Sequence, residues 1–195
     1  GKIDRIFISH LHGDHVFGLF GLLSSYQLMG RQKAIHIYGP QKLKEVLDFY
    51  LELFGQHQDY KIHFHSAGTK KYHKIAEDKG LEVYSFPLKH RAPTCGFLFR
   101  EKQAELNIKK EIIEKYHPGI QQIVEIKKGE DLILDDGRRI PNNELTLSPW
   151  KPRAYAYCSD TAYYPRITEY IKDTDLLYHE ATFAPEDEDL ASDTM

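Results

Sequence analysis

The sequence predicts an α+β domain in which buried strands alternate with helices and reactive side chains follow the strands. Three observations support this prediction. Apolar stretches with strand composition recur along the chain, segments with helical periodicity separate them, and histidine and aspartate residues stand directly after several of the stretches. Strand ends and loops on a rigid sheet are where proteins usually carry functional groups. The 195 residues are enough for one domain with a sizeable core.

The first half of the chain predicts strands and helices in turn. Ile3–Ser9 is rich in isoleucine and phenylalanine, as a buried strand should be. From Val16 to Met29 the apolar spacing is that of one helix face, and Gly30 closes it. The remaining elements of this half are a strand at Ile35–Tyr38, a helix at Gln41–Phe54 and strands at Tyr60–His65, Leu81–Leu88 and Gly96–Arg100.

The second half continues with shorter elements. Asn107 is expected to cap a basic helix that runs to Tyr116, where Pro118-Gly119 breaks it. Ile133–Ile140, with Asp136-Gly137 in its middle, predicts a small hairpin. The last elements are a strand at Ala154–Cys158, a helix at Pro165–Lys172, a strand at Leu176–Tyr178 and a solvated acidic tail at Glu186–Asp189.

Composition and charge limit the class of protein. No apolar stretch is long enough to span a membrane, and the N-terminus has no apolar signal core. Two cysteines, Cys95 and Cys158, do not make a disulfide framework, so we expect a cytoplasmic protein. The net charge is −3, yet residues 61–128 carry 14 basic and 8 acidic side chains. A basic middle segment suits a polyanionic partner, and it also suits an ordinary solvated surface.

The group His10-x-His12-x-Asp14-His15 carries the strongest chemical signal. Imidazole nitrogen and carboxylate oxygen suit zinc and similar divalent ions. His10 and His12 can point the same way at a strand end and hold one ion, while a turn at Gly13 lets Asp14 and His15 address a second. A group on the loop after a strand leaves coordination positions open for water. The pattern therefore predicts a catalytic metal centre.

This group and three later motifs resemble the ribonuclease Z family of the metallo-β-lactamase superfamily. The similarity spans residues 3–190 and follows the family's order of motifs. The later motifs are Phe86-Pro87-Leu88-Lys89-His90 followed by Gly96-Phe97-Leu98-Phe99, then Tyr157-Cys158-Ser159-Asp160-Thr161, and last Leu177-Tyr178-His179-Glu180-Ala181-Thr182-Phe183. The resemblance implies the αβ/βα four-layer sandwich of that superfamily.

The resemblance also implies a role for each motif residue. Two Zn²⁺ ions are expected, with Mn²⁺ or another divalent ion as a possible substitute. The implied metal ligands are His10, His12 and His90 at one ion, Asp14 and His15 at the other, and Asp160 between them. By the resemblance, His179 would protonate the leaving oxygen and Glu180 would orient this network. The chemistry of the site adds a second role for Asp14, as acceptor of the proton of the attacking water.

By the same resemblance the substrate is precursor tRNA, cut to leave a 3′ hydroxyl, and the enzyme is a homodimer. The inserted segment 101–153 of a single domain 1–195 would be the arm that holds the tRNA body. Its lysines include Lys102, Lys109, Lys110, Lys115, Lys127 and Lys128. The family pattern has a further histidine after residue 195 and a strand before residue 1, so we expect the fold here to lack parts of its N- and C-terminal elements.

Two rival interpretations remain open from the sequence. One keeps the metals and changes the substrate to a small phosphodiester, a sulfate ester or a thioester, since fold does not fix function. The other is a metal-stabilised RNA-binding module without activity. The remaining histidines match no motif: we interpret His63 and His65 as surface or core residues, and Cys158 as a packing residue rather than a metal ligand. Further histidines without a motif are His36, His57, His73 and His117.

Overall fold

Two β-sheets and the helices that cover them make up the larger of two compact units. The structure is a computed structural model that describes residues 2–54, 59–184 and 186. The larger unit consists of Gly1–Arg100 and Arg153–Met195, and the smaller unit of Glu101–Pro152. The elements of the larger unit are, in chain order, β1 (Arg5–Phe7), α1 (Gly13–Leu28), β2 (Ile35–Gly39), α2 (Leu43–Phe54), β3 (Ile62–Ser66), β4 (His73–Glu77), β5 (Leu81–Pro87), β6 (Cys95–Glu101), β11 (Ala154–Cys158), α6 (Ile167–Tyr170) and β12 (Leu176–His179).

The first sheet is parallel and has the strand order β1-β2-β3. Alternate residues of its middle strand face opposite sides. Ile35 and Ile37 pack with the buried face of α1 and α2, whereas Tyr38 packs towards the other sheet. The helix face that buries Val16, Leu19, Leu23 and Tyr26 has the spacing predicted from the sequence.

The second sheet has the order β12-β11-β6-β5-β4. In its strand β6, Leu98 packs with α6 on the outer side, and Phe97 packs against Tyr38 and Ala67 from the first sheet's side. The larger unit is thus a sandwich of helix, sheet, sheet and helix. The predicted α+β class and the superfamily fold are confirmed by this arrangement.

The smaller unit has a core of its own. Its buried side chains are Ile112, Ile126, Leu132 and Leu145. Its elements are β7 (Asn107–Ile108), α3 (Lys110–Tyr116), α4 (Ile120–Lys127), β8 (Leu132–Ile133), β9 (Arg139–Ile140), α5 (Asn142–Leu145) and β10 (Thr146–Leu147). The smaller unit, Glu101–Pro152, covers nearly the same residues as the predicted insertion 101–153. The role of this segment as an arm stays a prediction.

Several predicted boundaries were wrong. Asn107 does not cap α3: it lies in β7, which pairs with β10, and Lys109 occupies the N-cap position without a side-chain cap. The helix predicted at Pro165–Lys172 is shorter in the structure and spans Ile167–Tyr170. The hairpin around Asp136-Gly137 is present, and Gly137 there has the positive φ of 84° that the turn requires.

Two further points concern membrane-spanning helices and the residues that the structure does not describe. Within the described residues no helix has the length and apolar character to cross a membrane. His57 and residues 187–189 of the predicted acidic tail lie outside the described residues.

Candidate metal centre

His10 and His12 lie in the loop between β1 and α1. The side chain of His10 is completely buried, and its Nδ1 lies 3.0 Å from the hydroxyl of Ser9. The backbone of this loop is tied to the second sheet, because the amide of Cys95 donates to the carbonyl of Ser9 at 3.1 Å. Ser9 thus occupies one ring nitrogen of His10 and leaves Nε2 for another ligand.

Asp14 and His15 lie on the first turn of α1, not on a loop as the sequence suggested. Gly13 begins this helix without a positive φ, and the His15 amide donates to the His12 carbonyl at 3.1 Å, so the chain turns here without the left-handed backbone that glycine permits. His15 Nε2 is 3.3 Å from a carboxylate oxygen of Asp14. The Asp14 side chain is 78% exposed and therefore open to solvent on its other side.

His90 comes from the loop between β5 and β6 and meets His12, its Nε2 lying 3.4 Å from Nδ1 of that residue. Backbone contacts fix this loop. The amide of Lys89 donates to the hydroxyl oxygen of Thr161 at 3.1 Å, and the carbonyl of Lys89 accepts from the amide of Ala162 at 2.6 Å. His90 is therefore held against the loop that carries the predicted bridging aspartate.

Asp160 follows β11 and lies between two histidines. Its Oδ2 is 3.5 Å from Nε2 of His10, and its Oδ1 is 3.3 Å from Nε2 of His15. The Ser159 hydroxyl donates to Oδ1 at 3.1 Å. One carboxylate thus presents a separate oxygen to each half of the histidine motif, which is the geometry that a bridging ligand needs.

Four of the predicted ligands could share a single ion. One ligand atom from each of His10, His12, His90 and Asp160 lies within 4.8 Å of the other three. The donor set of three imidazoles and one carboxylate suits zinc and similar ions. Nε2 of His10 and Nδ1 of His90 are buried without a hydrogen-bond partner, which is costly unless something binds them. The residues therefore fit a divalent metal. Asp14 and His15 stand beside this group rather than within it.

Electrostatics favour the metal-binding forms of these side chains. Burial, reinforced by the neighbouring histidines, lowers the pKa of His10 to about 4. Burial likewise lowers the pKa of His90. For Asp160, burial raises the pKa, but the charge of His15 and the Ser159 hydrogen bond outweigh it and leave the pKa below its usual value. Neutral imidazole and ionised carboxylate are the forms that bind metal.

His179 and Glu180 lie at the end of β12, which pairs with β11. Glu180 accepts hydrogen bonds from the backbone amide of Thr161 and, at 2.7 Å, from the hydroxyl of Thr182. Nδ1 of His179 lies 2.7 Å from the Glu180 carbonyl. A carbonyl only accepts, so Nδ1 donates and Nε2 of this exposed ring carries the lone pair in the neutral form.

No pattern in the sequence marked Ser9 and Thr161 as supporting residues. Both stand directly beside a predicted ligand, and second partners of this kind commonly orient metal-binding side chains. Cys158 packs in the core with Leu98 and Ile167, and burial raises the pKa of its thiol to about 12. A neutral, buried thiol agrees with its interpretation as a packing residue.

Comparison with known proteins places this chain in a family. A family model described as the beta-lactamase superfamily domain matches residues 1–108, more than half of the chain. Among curated proteins, the ribonuclease Z of Phocaeicola vulgatus is 44% identical over 194 residues, which is 100% of this chain and 63% of that protein. The ribonuclease Z of Porphyromonas gingivalis is 43% identical over 195 residues, covering 100% of this chain and 64% of that protein.

Among solved structures, the short form of human tRNase Z aligns with a TM-score of 0.60 at 23% identity, covering 99% of this chain and 63% of that one. At that identity the likeness supports the fold. The chain spans less than two thirds of the length of these relatives. With its paired sheets, its histidine motif after β1 and the match to the family model, the chain belongs to the beta-lactamase superfamily.

Proposed function

We propose that the protein is a metal-dependent endoribonuclease that removes the 3′ trailer from precursor tRNA. The observation that carries this proposal is the position of Asp160, with one oxygen towards His10 and the other towards His15. The curated relatives named ribonuclease Z, 43–44% identical over the whole chain, support the choice of substrate.

The proposed centre holds two Zn²⁺ ions, or Mn²⁺ or another divalent ion in their place. His10, His12 and His90 would hold one ion, Asp14 and His15 the other, and Asp160 would contribute to both. The four-residue group supports the first site. The exposed carboxylate of Asp14, 3.3 Å from His15, supports the second.

Ions bound there would supply an activated water and stabilise the negative charge that develops on the phosphate. The side chains would perform the proton transfers. Asp14, whose side chain is largely exposed, would accept the proton of the water. His179 in its imidazolium form, protonated at both ring nitrogens, would deliver the Nε2 proton to the leaving 3′ oxygen and return to the neutral form. Glu180, through its bond to the Thr161 amide, would hold the Asp160 loop in place. The product is a tRNA with a free 3′ hydroxyl.

The smaller unit is the proposed arm for the tRNA body. Helices α3 and α4 carry Lys110, Lys115 and Lys127, and Lys128 follows directly. Lys110, Lys115 and Lys128 are exposed, and Lys127 is half-buried. Exposed lysines on a small unit suit sequence-independent contact with a phosphate backbone.

The proposed assembly is a homodimer that forms through α1 and α2. Both helices expose large apolar side chains. Phe17 and Leu28 of α1 are 75% and 88% exposed, and Met29 directly after α1 is 79% exposed. Phe49 and Phe54 of α2 are 61% and 64% exposed. A shallow groove of about 390 Å³ lies between the two helices. Exposed apolar surface of this kind is typical of an interaction site, and a second copy offers a matching face. We further propose a cytoplasmic location, which both described thiols, free and buried, would tolerate.

The test is incubation of the purified full-length protein with a labelled 3′-extended tRNA, with and without chelator. We expect one cut at the trailer junction, which chelation abolishes. A parallel reaction with bis(p-nitrophenyl) phosphate measures the metal centre alone. Turnover of the small ester without any cleavage of tRNA would favour the rival hydrolases, and loss of both with intact RNA binding would favour the binding module.

A further inference from the structure

A cleft of about 830 Å³ opens beside the candidate metal centre. Leu11, which stands between His10 and His12, lines one wall. Ala92 and Pro93, which follow His90, line another. All lining residues belong to the larger unit. The cleft is within the size range of ligand pockets, and it shares two backbone segments with the candidate ligands.

The cleft is positively charged. Lys42, Lys70 and Lys71 line it, and no lining residue is acidic. None of the three lysines forms an ion pair with another residue in the part of the chain that the structure describes. Three uncompensated cations around one cavity favour an anionic ligand.

The remaining surface of the cleft is mainly apolar and is held in place. Its loop between β3 and β4 is anchored where the Ala67 amide donates to the Gly39 carbonyl at 2.8 Å. Gly68 permits close packing, since a Cβ there would lie 2.5 Å from the His73 ring. Nδ1 of His73 lies 3.0 Å from the Lys71 carbonyl, to which it must donate. Tyr72, parallel to the ring of Tyr84 at 5.1 Å, stiffens the same loop. Lys70 and Lys71 are therefore carried by a packed loop.

We propose that this lysine cleft binds the single-stranded RNA that flanks the scissile phosphate, with the lysines contacting backbone phosphates and the apolar surface contacting bases. The inference rests on the proposed nuclease function for the position of the strand. Single-stranded segments offer both chemistries at once, because their phosphates are exposed and their unpaired bases present apolar faces. A fully paired helix would hide those faces.

The first experiment measures binding without cleavage. Fluorescein-labelled octauridylate is titrated against the metal-loaded full-length protein at several salt concentrations. We expect Lys70→Ala/Lys71→Ala to weaken binding roughly tenfold and to reduce the salt dependence of log K by about 0.7 for each lysine removed. The matched control is Lys61→Ala/Lys79→Ala, which removes the same charge from exposed positions outside the cleft.

The second experiment locates the strand. Both double variants are assayed for cleavage of tRNAs that carry either a one-nucleotide or a ten-nucleotide trailer. A loss of kcat/KM confined to the long trailer places the trailer in the cleft, and an equal loss with both places the acceptor strand there. Turnover of bis(p-nitrophenyl) phosphate should not change in either variant.

The outcomes separate this inference from the proposed function. Equal octauridylate binding by the cleft variant and the control, or no binding by the unaltered protein, would overturn the inference even if tRNA is cleaved. Lysine-dependent binding by a protein that cleaves no tRNA would overturn the proposed function and leave the cleft as an RNA site.

Discussion

The carboxylate of Glu180 accepts a hydrogen bond from the backbone amide of Thr161, the residue directly after Asp160. The Glu180 amide donates in turn to the carbonyl of Cys158 at 3.3 Å. These bonds fasten the end of β12 to the loop that presents Asp160. Glu180 is therefore placed to position a candidate ligand rather than to bind substrate.

Removing the Glu180 carboxylate should weaken the metal centre. Glu180→Ala leaves the Thr161 amide without its acceptor, and loss of such supporting partners typically costs roughly 10–100-fold in metal affinity or activity. Glu180→Gln keeps an oxygen that can accept the bond and should retain most of the affinity. Zinc titration of both variants checks this, and equal losses would show that the negative charge matters instead.

Asp160 should be required for occupancy of the metal centre. We expect Asp160→Ala to bind fewer ions than the unaltered protein, because both carboxylate oxygens face candidate ligand histidines. The measurement is metal content by mass spectrometry after dialysis. Asp48→Ala, which removes an exposed carboxylate paired with Lys44, is the control. Full occupancy in Asp160→Ala would remove this residue from the proposed ligand set.

Asp14→Ala should abolish turnover of precursor tRNA and spare tRNA binding. The proposed proton acceptor is lost, and general-base catalysis contributes roughly 10²–10⁴-fold. Single-turnover cleavage and a gel-shift assay measure the two properties separately. Normal turnover in this variant would exclude Asp14 from the mechanism.

The metal-free protein should lose stability in mild acid because of His10. Its folded pKa of about 4 lies below the unfolded value of 6.5, so the unfolded state binds more protons between these values and stability falls as the pH drops through that window. The loss between pH 7 and pH 4.5 should be about 2 kcal/mol. Urea denaturation after chelation measures it, and His10→Asn should lack this part of the slope. An unchanged slope would show that His10 is not the titrating group.

Two glycine substitutions should act in opposite directions. A Cβ on Gly96 would lie 2.4 Å from the ring of Phe86, which is completely buried, and 3.0 Å from the Tyr157 carbonyl. Gly96→Ala should therefore destabilise the fold by about 1–3 kcal/mol. Gly18 in α1 has open space around it, so Gly18→Ala should stabilise by about 0.5–1 kcal/mol. Thermal unfolding of both variants measures the two changes in stability. Stabilisation by Gly96→Ala would contradict the close packing of Gly96 against Phe86.

The sequence predicted the fold class and named residues that the structure brings together around Asp160, but it misplaced the boundaries of several elements. The candidate ligands from His10 to His15 are adjacent in the chain, so their type and spacing carry the signal locally. His90 and Asp160 are single residues, and their proximity to the motif was implied only by family resemblance. No pattern in the sequence indicated that Thr161 would tie the loops of Lys89 and Glu180 together.

The missed elements have physical reasons. Strand β4 at the sheet edge exposes His73, Lys74 and Glu77, so it lacks the apolar alternation that identifies strands. Helix α4 begins with Ile120 exposed and two glutamines, and buries only Ile126. Asn107 has good cap chemistry, but pairing of β7 with β10 satisfies its backbone instead.

The origin of the four clustered side chains has a consequence for how the protein matures. His10 and His12 leave the first sheet, whereas His90 and Asp160 leave the second. During synthesis His10 and His12 leave the ribosome before His90 and Asp160. The set of four ligands is therefore incomplete until Asp160 has been synthesised and the two sheets have packed together. Any ion that all four residues share can thus bind only late, and it would then cross-link the two sheets.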